Sequence, residues 1–184
     1  PPTLNLLPHY CLSDTLIMDA NPVPDTLPNF YQWYYGDPKA NNQFFAGNDS
    51  APATAAGQYV FGFVYDNCAV YDTTEVTDPP EVTHEDKIVC IGQTIEIEAN
   101  SLTGVVFDWI EEATGDTIAV NTNPVNVTAD TDTINDQLFV VEVTDALGCI
   151  TYDTVALTKL PPPEMELVNQ PLCIGDEITL DATP

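Results

Sequence analysis

The sequence has few positive charges, no long apolar run and no catalytic motif. Its only bases are three lysines, Lys39, Lys87 and Lys159, against 29 acidic residues, which gives a formal net charge of −26. A nucleic-acid interface needs a basic surface to displace counterions, so nucleic-acid binding is excluded. Anionic membrane surfaces are excluded by the same sign. No stretch approaches the roughly 18 apolar residues of a spanning helix, so no membrane insertion is expected.

The sequence also lacks the signatures of known catalytic sites. It contains no nucleophile elbow, zinc-protease motif, P-loop or dinucleotide fingerprint. His9 and His84 are isolated, and we interpret them as ordinary polar residues. We therefore expect no catalytic residue, no enzyme activity and no organic cofactor. Hydrophobic residues make up 44% of the chain, which is enough to form packed cores.

The chain does contain an internal repeat. Segments 11–20, 90–99 and 173–182 align without gaps, and each begins with a cysteine. The pattern Cys-x-x-Tyr-Asp-Thr occurs at 68–73 and 149–154, aromatic-x-Trp at 31–33 and 107–109, and a segment that begins with Gln at 58–66 and 137–145. Proline clusters separate the units. We divide the chain into repeat 1 (1–78), repeat 2 (79–160) and the truncated start of repeat 3 (161–184), and expect the array to continue.

Residues alternate with a period of two inside each repeat, as in half-buried strands. In repeat 2 this alternation, with the intervening turn signals, predicts strands at 86–89, 94–99, 105–111, 117–120, 124–128, 137–145 and 150–158. Seven short strands with a tryptophan on the third are typical of an immunoglobulin-like sandwich. Trp33 and Trp109 are therefore predicted to be core residues. The predicted fold is all-β, with tandem immunoglobulin-like β-sandwich repeats of about 80 residues.

The motifs resemble a known group of repeats. Cys-x-Gly-x-x-Ile-x-Leu-x-Ala, aromatic-x-Trp, Tyr-Val-x-Val-Thr-Asp-x-x-Gly-Cys and Asp-Thr-Val together are similar to the Ig-like and PKD-like repeats of giant Bacteroidota surface proteins, such as gliding-motility adhesins and type IX-secreted proteins. Repeat 1 departs from this pattern, with Ser13 in place of the glycine. The resemblance implies export, a cell-surface or extracellular location, and no chemistry of the repeat's own.

The five cysteines lie at fixed positions in the repeat, which in an exported protein indicates disulfides. One alternative pairs cysteines within a repeat, as Cys11–Cys68 and Cys90–Cys149. However, these turns lie at opposite ends of a sandwich, roughly 20 Å apart, whereas a disulfide needs Cα atoms within about 7 Å. We favour an inter-repeat Cys11–Cys149 bond, with the partners of Cys68, Cys90 and Cys173 outside the fragment. Reduced or interchain thiols are the third alternative.

The sequence also suggests a Ca²⁺ site and O-glycosylation sites. Acidic oxygens at the second junction could bind Ca²⁺, although the loop lacks the EF-hand pattern and solvated loops are the simpler interpretation; these are Asp130, Asp132, Asp136, Glu164 and Glu166. Asp-Thr and Asp-Ser pairs are similar to the O-glycosylation signal of Bacteroidota, with exposed acceptors predicted at Thr26, Ser50, Thr117 and Thr133.

The favoured function is a structural repeat of an extracellular filament or adhesin stalk, made rigid by proline-rich linkers and disulfides. Its expected partners are neighbouring repeats of the same long chain and further copies in a fibre. One alternative is a module that binds a glycan or cell-surface ligand through aromatics of repeat 1, namely Tyr34, Tyr35, Phe44 and Phe45. Another is a spacer in a large secreted enzyme.

Overall fold

The computed structural model describes residues 4, 6–13, 16–20, 31–37, 44–65, 68–131, 136–161 and 174, with the backbone alone at 44–46 and 65. Within this part of the chain the regular structure consists of β-strands and contains no helix, so the all-β prediction is confirmed. Accordingly, none of the described residues belongs to a helix long and apolar enough to cross a bilayer.

The described residues of repeat 1 form seven strands arranged in two sheets. The order of its five-stranded sheet is β1-β7-β6-β3-β4, and β2 pairs with β5 in a separate two-stranded sheet. Strand β1 runs parallel to the last strand, whereas the other pairs are antiparallel. The strands are β1 (His9–Cys11), β2 (Ile17–Asp19), β3 (Tyr31–Tyr35), β4 (Phe44–Ala46), β5 (Ser50–Pro52), β6 (Gly57–Tyr65) and β7 (Cys68–Thr77).

Repeat 2 has the same topology. Its five-stranded sheet has the order β13-β12-β15-β16-β9, and the opposite face is formed by the pairs β10-β14 and β11-β8. The first strand of the large sheet again runs parallel to the last. Most observed bounds are close to the predicted ones, but β8 was not predicted and the predicted strand 94–99 is divided into β10 and β11. The strands are β8 (Thr83–His84), β9 (Lys87–Cys90), β10 (Thr94–Ile97), β11 (Ala99–Asn100), β12 (Gly104–Glu111), β13 (Thr117–Ala119), β14 (Val125–Thr128), β15 (Gln137–Asp145) and β16 (Ile150–Leu160).

Each repeat has its own hydrophobic core between its two layers. Trp33 and Trp109 lie at the centres of these cores and are completely buried. The sequence alignment of segments 11–20 and 90–99 agrees with the structure, because the matched residues Met18 and Ile97 are both buried. Two packed β-layers around one core, with this strand order and a tryptophan on the third strand, form an immunoglobulin-like sandwich.

The alignment of segment 58–66 with 137–145 was wrong by one residue. It matches Phe61 with Val140, but Trp33 lies opposite Phe61 in repeat 1 and Trp109 lies opposite Val141 in repeat 2. In a strand, a shift of one residue moves every side chain to the other face. The buried face therefore determines the true correspondence, and Phe61 is equivalent to Val141.

Candidate functional site at the repeat junction

The first half of the junction is the turn that leaves β1. Cys11 is the last residue of β1 and lies beside Thr77, the last residue of β7. The backbone N–H of Leu12 continues this pairing by donating to the Thr77 carbonyl at 2.8 Å. Cys11 is therefore held where repeat 1 ends and the linker begins.

The second half is the turn between β15 and β16. Asp145 Oδ1 accepts hydrogen bonds from the backbone N–H groups of Leu147 and Cys149, each at 2.8 Å. Gly148 has a φ of 86°, which is the left-handed conformation that glycine adopts without steric cost. Together these features fix Cys149 at the start of β16, on the end of repeat 2 that faces repeat 1.

The two turns are joined covalently. Cys11 and Cys149 form a disulfide with a Cα–Cα distance of 5.4 Å, within the usual range. The bond connects residues separated by 138 positions in the sequence, and Cys149 has no exposed surface. The structure thus contains the inter-repeat pair that the sequence analysis preferred.

The alternative pairing within a repeat is incompatible with this topology. Cys90 lies opposite Leu160 at the end of β16, whereas Cys149 directly precedes the start of that strand. Eleven residues of extended strand separate the two positions by roughly 35 Å. A disulfide tolerates a Cα separation of about 7 Å at most, so this pair cannot form.

A histidine and a threonine of repeat 1 lie against the disulfide. His9 Nε2 is 2.7 Å from Thr77 Oγ1, and these two atoms are 3.9 Å and 3.5 Å from Cys149 Sγ. His9 was predicted to be an ordinary polar residue, and its position at the junction was not predicted from the sequence. His9, Cys11 and Cys149 form a compact set of potential metal ligands. However, the two sulfurs are bonded to each other and so are not thiolate ligands in this state.

The proline linker provides the second connection between the repeats. Pro80 is buried, and β8 begins three residues later. His84 on β8 contacts Asp153 of the last strand, with 3.0 Å between Nδ1 and Oδ2. Asp86 Oδ1 accepts the N–H of Ala156 at 2.8 Å. The chain is therefore attached to the body of repeat 2 soon after it leaves repeat 1.

Packing does not fill the whole junction. A cleft of about 600 Å³ separates the linker from the loop that follows β11, where Leu102 is fully exposed. The cleft is lined by Asp78, Pro79, Glu81, Thr83, Asn100, Ser101, Leu102 and Thr103.

Cys68 and Cys90 do not take part in the observed disulfide. Cys68 is a free, exposed thiol at the start of β7, and Cys90 is a free, half-buried thiol at the end of β9. Both therefore remain available to a partner. Cys173 lies outside the described residues.

Of the five acidic residues predicted as possible Ca²⁺ ligands, the structure describes Asp130 and Asp136. Asp130 Oδ1 is 2.8 Å from Lys159 Nζ, so a protein cation already neutralises this carboxylate. Asp136 is exposed, while Asp132, Glu164 and Glu166 lie outside the described residues. Among the glycosylation candidates, Thr117 is exposed and Ser50 half-exposed; Thr26 and Thr133 also lie outside the described part.

Of the predicted exposed aromatics of repeat 1, the prediction is wrong for Tyr34, which is buried, and is confirmed for Tyr35, which is exposed. Tyr34 is only 7% exposed, and burial together with the neighbouring Tyr71 raises its pKa above the ordinary value. Tyr35 is 37% exposed, but its hydroxyl donates to the Ala56 carbonyl at 2.8 Å and its ring packs edge-on against Tyr59. These rings stabilise the repeat itself. The side chains of Phe44 and Phe45 are outside the described part.

Repeat 2 contains a buried lysine that was not predicted from the sequence. Lys159 is 3% exposed and occupies the inward position that Val76 fills in repeat 1. Next to its partner Asp130, Gln137 accepts the Asp130 N–H at 3.2 Å and donates to Glu111 Oε1 at 2.6 Å. Alternation along β16 places this position on the inward face, but no pattern in the sequence indicates its partners.

Comparison with known proteins does not assign a family to this chain. The fibronectin(III)-like modules of Clostridium thermocellum CbhA are similar, with 12% identity over 88% of this chain and 95% of that chain and a TM-score of 0.40. A chimeric titin Z1Z2-Z1Z2 tandem has 15% identity over 87% and 100% of the two chains and a TM-score of 0.37.

The three N-terminal domains of the bacteriophage RB49 outer capsid protein Hoc are also similar, with 15% identity, a TM-score of 0.40, and coverage of 86% of this chain and 59% of that chain. No family model matches the sequence, and no curated protein matches it significantly.

Proposed function

We propose that this chain is a load-bearing structural repeat of an extracellular filament or adhesin stalk, whose junctions are made rigid by a proline linker and a disulfide. The observation that carries the proposal is the Cys11–Cys149 bond between two separate sandwiches. Disulfides persist in oxidising compartments, so this bond also supports an extracellular location.

The disulfide changes the path that a pulling force takes through the molecule. A force applied at the two ends enters at Cys11, crosses to Cys149 and leaves along β16. The linker and the residues between the two cysteines are bypassed, because the covalent bond is the shorter connection. Both cores therefore lie largely outside the loaded path, which is a useful property in a stalk.

Single-molecule force spectroscopy tests this load path. The 138 bypassed positions, at up to about 3.6 Å each, correspond to roughly 500 Å of hidden extension. The oxidised chain should therefore unfold to a length that is shorter by this amount than that of the Cys11→Ser/Cys149→Ser variant. The matched control, Cys68→Ser/Cys90→Ser, also removes two cysteines and should keep the short length. Equal lengths for all three chains would refute the load path.

Small-angle scattering tests rigidity independently. The oxidised chain should fit a single arrangement of its two repeats, whereas loss of the disulfide should broaden the distribution of distances between them. If the oxidised chain needs an ensemble as broad as that of the serine variant, the repeats move freely and the stalk function is excluded.

A further inference from the structure

We propose that the junction between the two repeats becomes a zinc site when its disulfide is reduced, with Cys11 Sγ, Cys149 Sγ and His9 Nε2 as the protein ligands. This inference goes beyond the proposed function, because it concerns a metal and a redox state that the stalk function does not require. The reduced state precedes the disulfide in every chain, since the bond forms by oxidation of two thiols.

The three ligand atoms already lie together in the oxidised junction. His9 Nε2 and the two sulfurs are all within 4.8 Å of one another, and Nε2 is 3.9 Å from Cys149 Sγ. Zinc binds sulfur at about 2.3 Å and nitrogen at about 2.0–2.1 Å, so a nitrogen and a sulfur that share a tetrahedral zinc ion lie roughly 3.5 Å apart. The imidazole is therefore close to the separation that a shared metal requires.

The two sulfurs must separate to make room for the metal. Sulfurs that share a tetrahedral zinc ion lie roughly 3.8 Å apart. The Cα atoms of Cys11 and Cys149 are 5.4 Å apart, and each Sγ moves on a circle when its side chain rotates about the Cα–Cβ bond. Rotation of these two side chains is therefore sufficient, and the backbone of the two turns need not move.

The structure holds His9 in the orientation that a metal ligand needs. His9 and Cys11 are two positions apart on β1, so their side chains lie on the same side of the strand. Nε2 is 2.7 Å from Thr77 Oγ1, which can donate its hydroxyl hydrogen to the lone pair of a neutral imidazole. This contact keeps Nε2 beside Cys149, whose own position is fixed by the hydrogen bond from its N–H to Asp145.

The chemistry of the ligands selects zinc rather than calcium or magnesium. Thiolate and imidazole groups suit zinc, whereas calcium and magnesium prefer oxygen ligands. Two thiolates add two negative charges to a chain whose net charge is already −26, and a divalent ion cancels them. Cys149 is completely buried, but His9 and Cys11 are half-buried, so zinc has a route to the site and a water molecule can take the fourth position.

Two steps convert the disulfide into the metal site. A water-soluble trialkylphosphine attacks one sulfur of the disulfide, and hydrolysis of the resulting adduct gives the phosphine oxide and two thiols. The phosphine is oxidised by two electrons and the disulfide is reduced by two electrons, while one water molecule supplies the oxygen of the oxide and the two thiol hydrogens. Zinc then displaces both thiol protons, which are released to the buffer.

The test uses the full chain with Cys68→Ser, Cys90→Ser and Cys173→Ser, so that Cys11 and Cys149 are its only cysteines. The protein is reduced without oxygen, freed of the phosphine and titrated with Co²⁺, which takes the place of zinc and absorbs visible light. We expect one equivalent to bind, with a thiolate-to-cobalt charge-transfer band and the intense visible bands of tetrahedral cobalt. Added zinc should displace the cobalt and remove these bands.

Variants in the same background identify the ligands. His9→Ala removes one ligand and should raise the dissociation constant for zinc at least about tenfold, whereas His84→Ala removes the only other histidine and should leave it unchanged. Cys11→Ser/Cys149→Ser should abolish the charge-transfer band, and so should omission of the reductant. Binding to surface carboxylates alone, without a thiolate band, would overturn the zinc site, as would a zinc affinity that His9→Ala does not lower.

The outcome can be separated from that of the proposed function. A rigid, force-shielded junction in the oxidised chain, combined with no thiolate band in the reduced chain, would refute only the zinc site. A freely moving junction in the oxidised chain would refute the stalk function whatever the reduced chain binds.

Discussion

Removal of the Cys11–Cys149 bond should lower the stability of the folded chain substantially. A disulfide limits the conformations of the unfolded chain, and the stabilisation grows with the logarithm of the number of residues in the loop that it closes. For the observed separation of 138 residues, the loop-entropy relation gives roughly 5 kcal/mol at 25 °C. Few single changes in a protein of this size have so large an effect, because the loop contains almost all of both repeats.

The loss can be measured by calorimetry on the Cys11→Ala/Cys149→Ala variant. At about 2–4 °C per kcal/mol for a chain of this length, the midpoint of unfolding should fall by roughly 10–20 °C. Cys68→Ala/Cys90→Ala is the matched control, and its midpoint should stay near that of the unchanged chain. If both double variants unfold at the same temperature, the disulfide does not constrain the unfolded state and the reasoning is refuted.

Three further predictions concern repeat 2. Trp109→Ala should cost about 3–5 kcal/mol by opening a cavity in a completely buried site, measured by urea denaturation followed by circular dichroism, with repeat 1 as the internal control. Asp130→Ala should lower the free energy of unfolding by about 2 kcal/mol, because it removes a charged partner from the buried Lys159. Lys159→Met should lower it by less, because it also removes the buried charge. Equal losses in the two variants would contradict this reasoning. The pKa of Tyr152 is raised by its hydrogen bond to Glu142 and by that carboxylate's charge, so Glu142→Gln should lower it in an NMR titration, and an unchanged value would show that the contact is absent.

The sign of the Tyr152 effect follows from the direction of the shift. A pKa that is raised in the folded state favours the neutral phenol, so the associated stabilisation is present below the pKa of the unfolded chain. It is lost as the pH rises through the folded-state pKa. The change in stability with pH that this contact causes is therefore confined to alkaline solution, and the stabilisation itself is fully present near neutral pH.

The junction was largely predictable because it depends on periodicity and topology. The cysteines recur at the same positions in each repeat, and the two cysteine-bearing turns of one repeat lie at opposite ends of its sandwich. The nearest partner of each cysteine is therefore in the neighbouring repeat. The contacts around the bond were not predictable. His9 reaches the Cys149 sulfur across 140 positions of the sequence, and its approach depends on how the two sandwiches are oriented.

The aromatic residues of repeat 1 show a second limit. Tyr34 was predicted to belong to an exposed aromatic platform. Alternation along β3 would also place it on the outer face, because its neighbour Trp33 faces the core. Both are nevertheless buried, so both faces of β3 are covered at this point. Alternation predicts which face a side chain occupies, but it does not predict whether another group covers the outer face.

The sequence alone predicted most strands of repeat 2, the buried tryptophans and the preferred cysteine pair, because each follows from a local period or from a repeated position. Only the tertiary structure decided which residues of β6 and β15 are equivalent in the two repeats, the burial of Tyr34 and the pairing of Lys159 with Asp130. These features depend on which surfaces meet, and contacts between residues far apart in the chain leave no periodic signal in it.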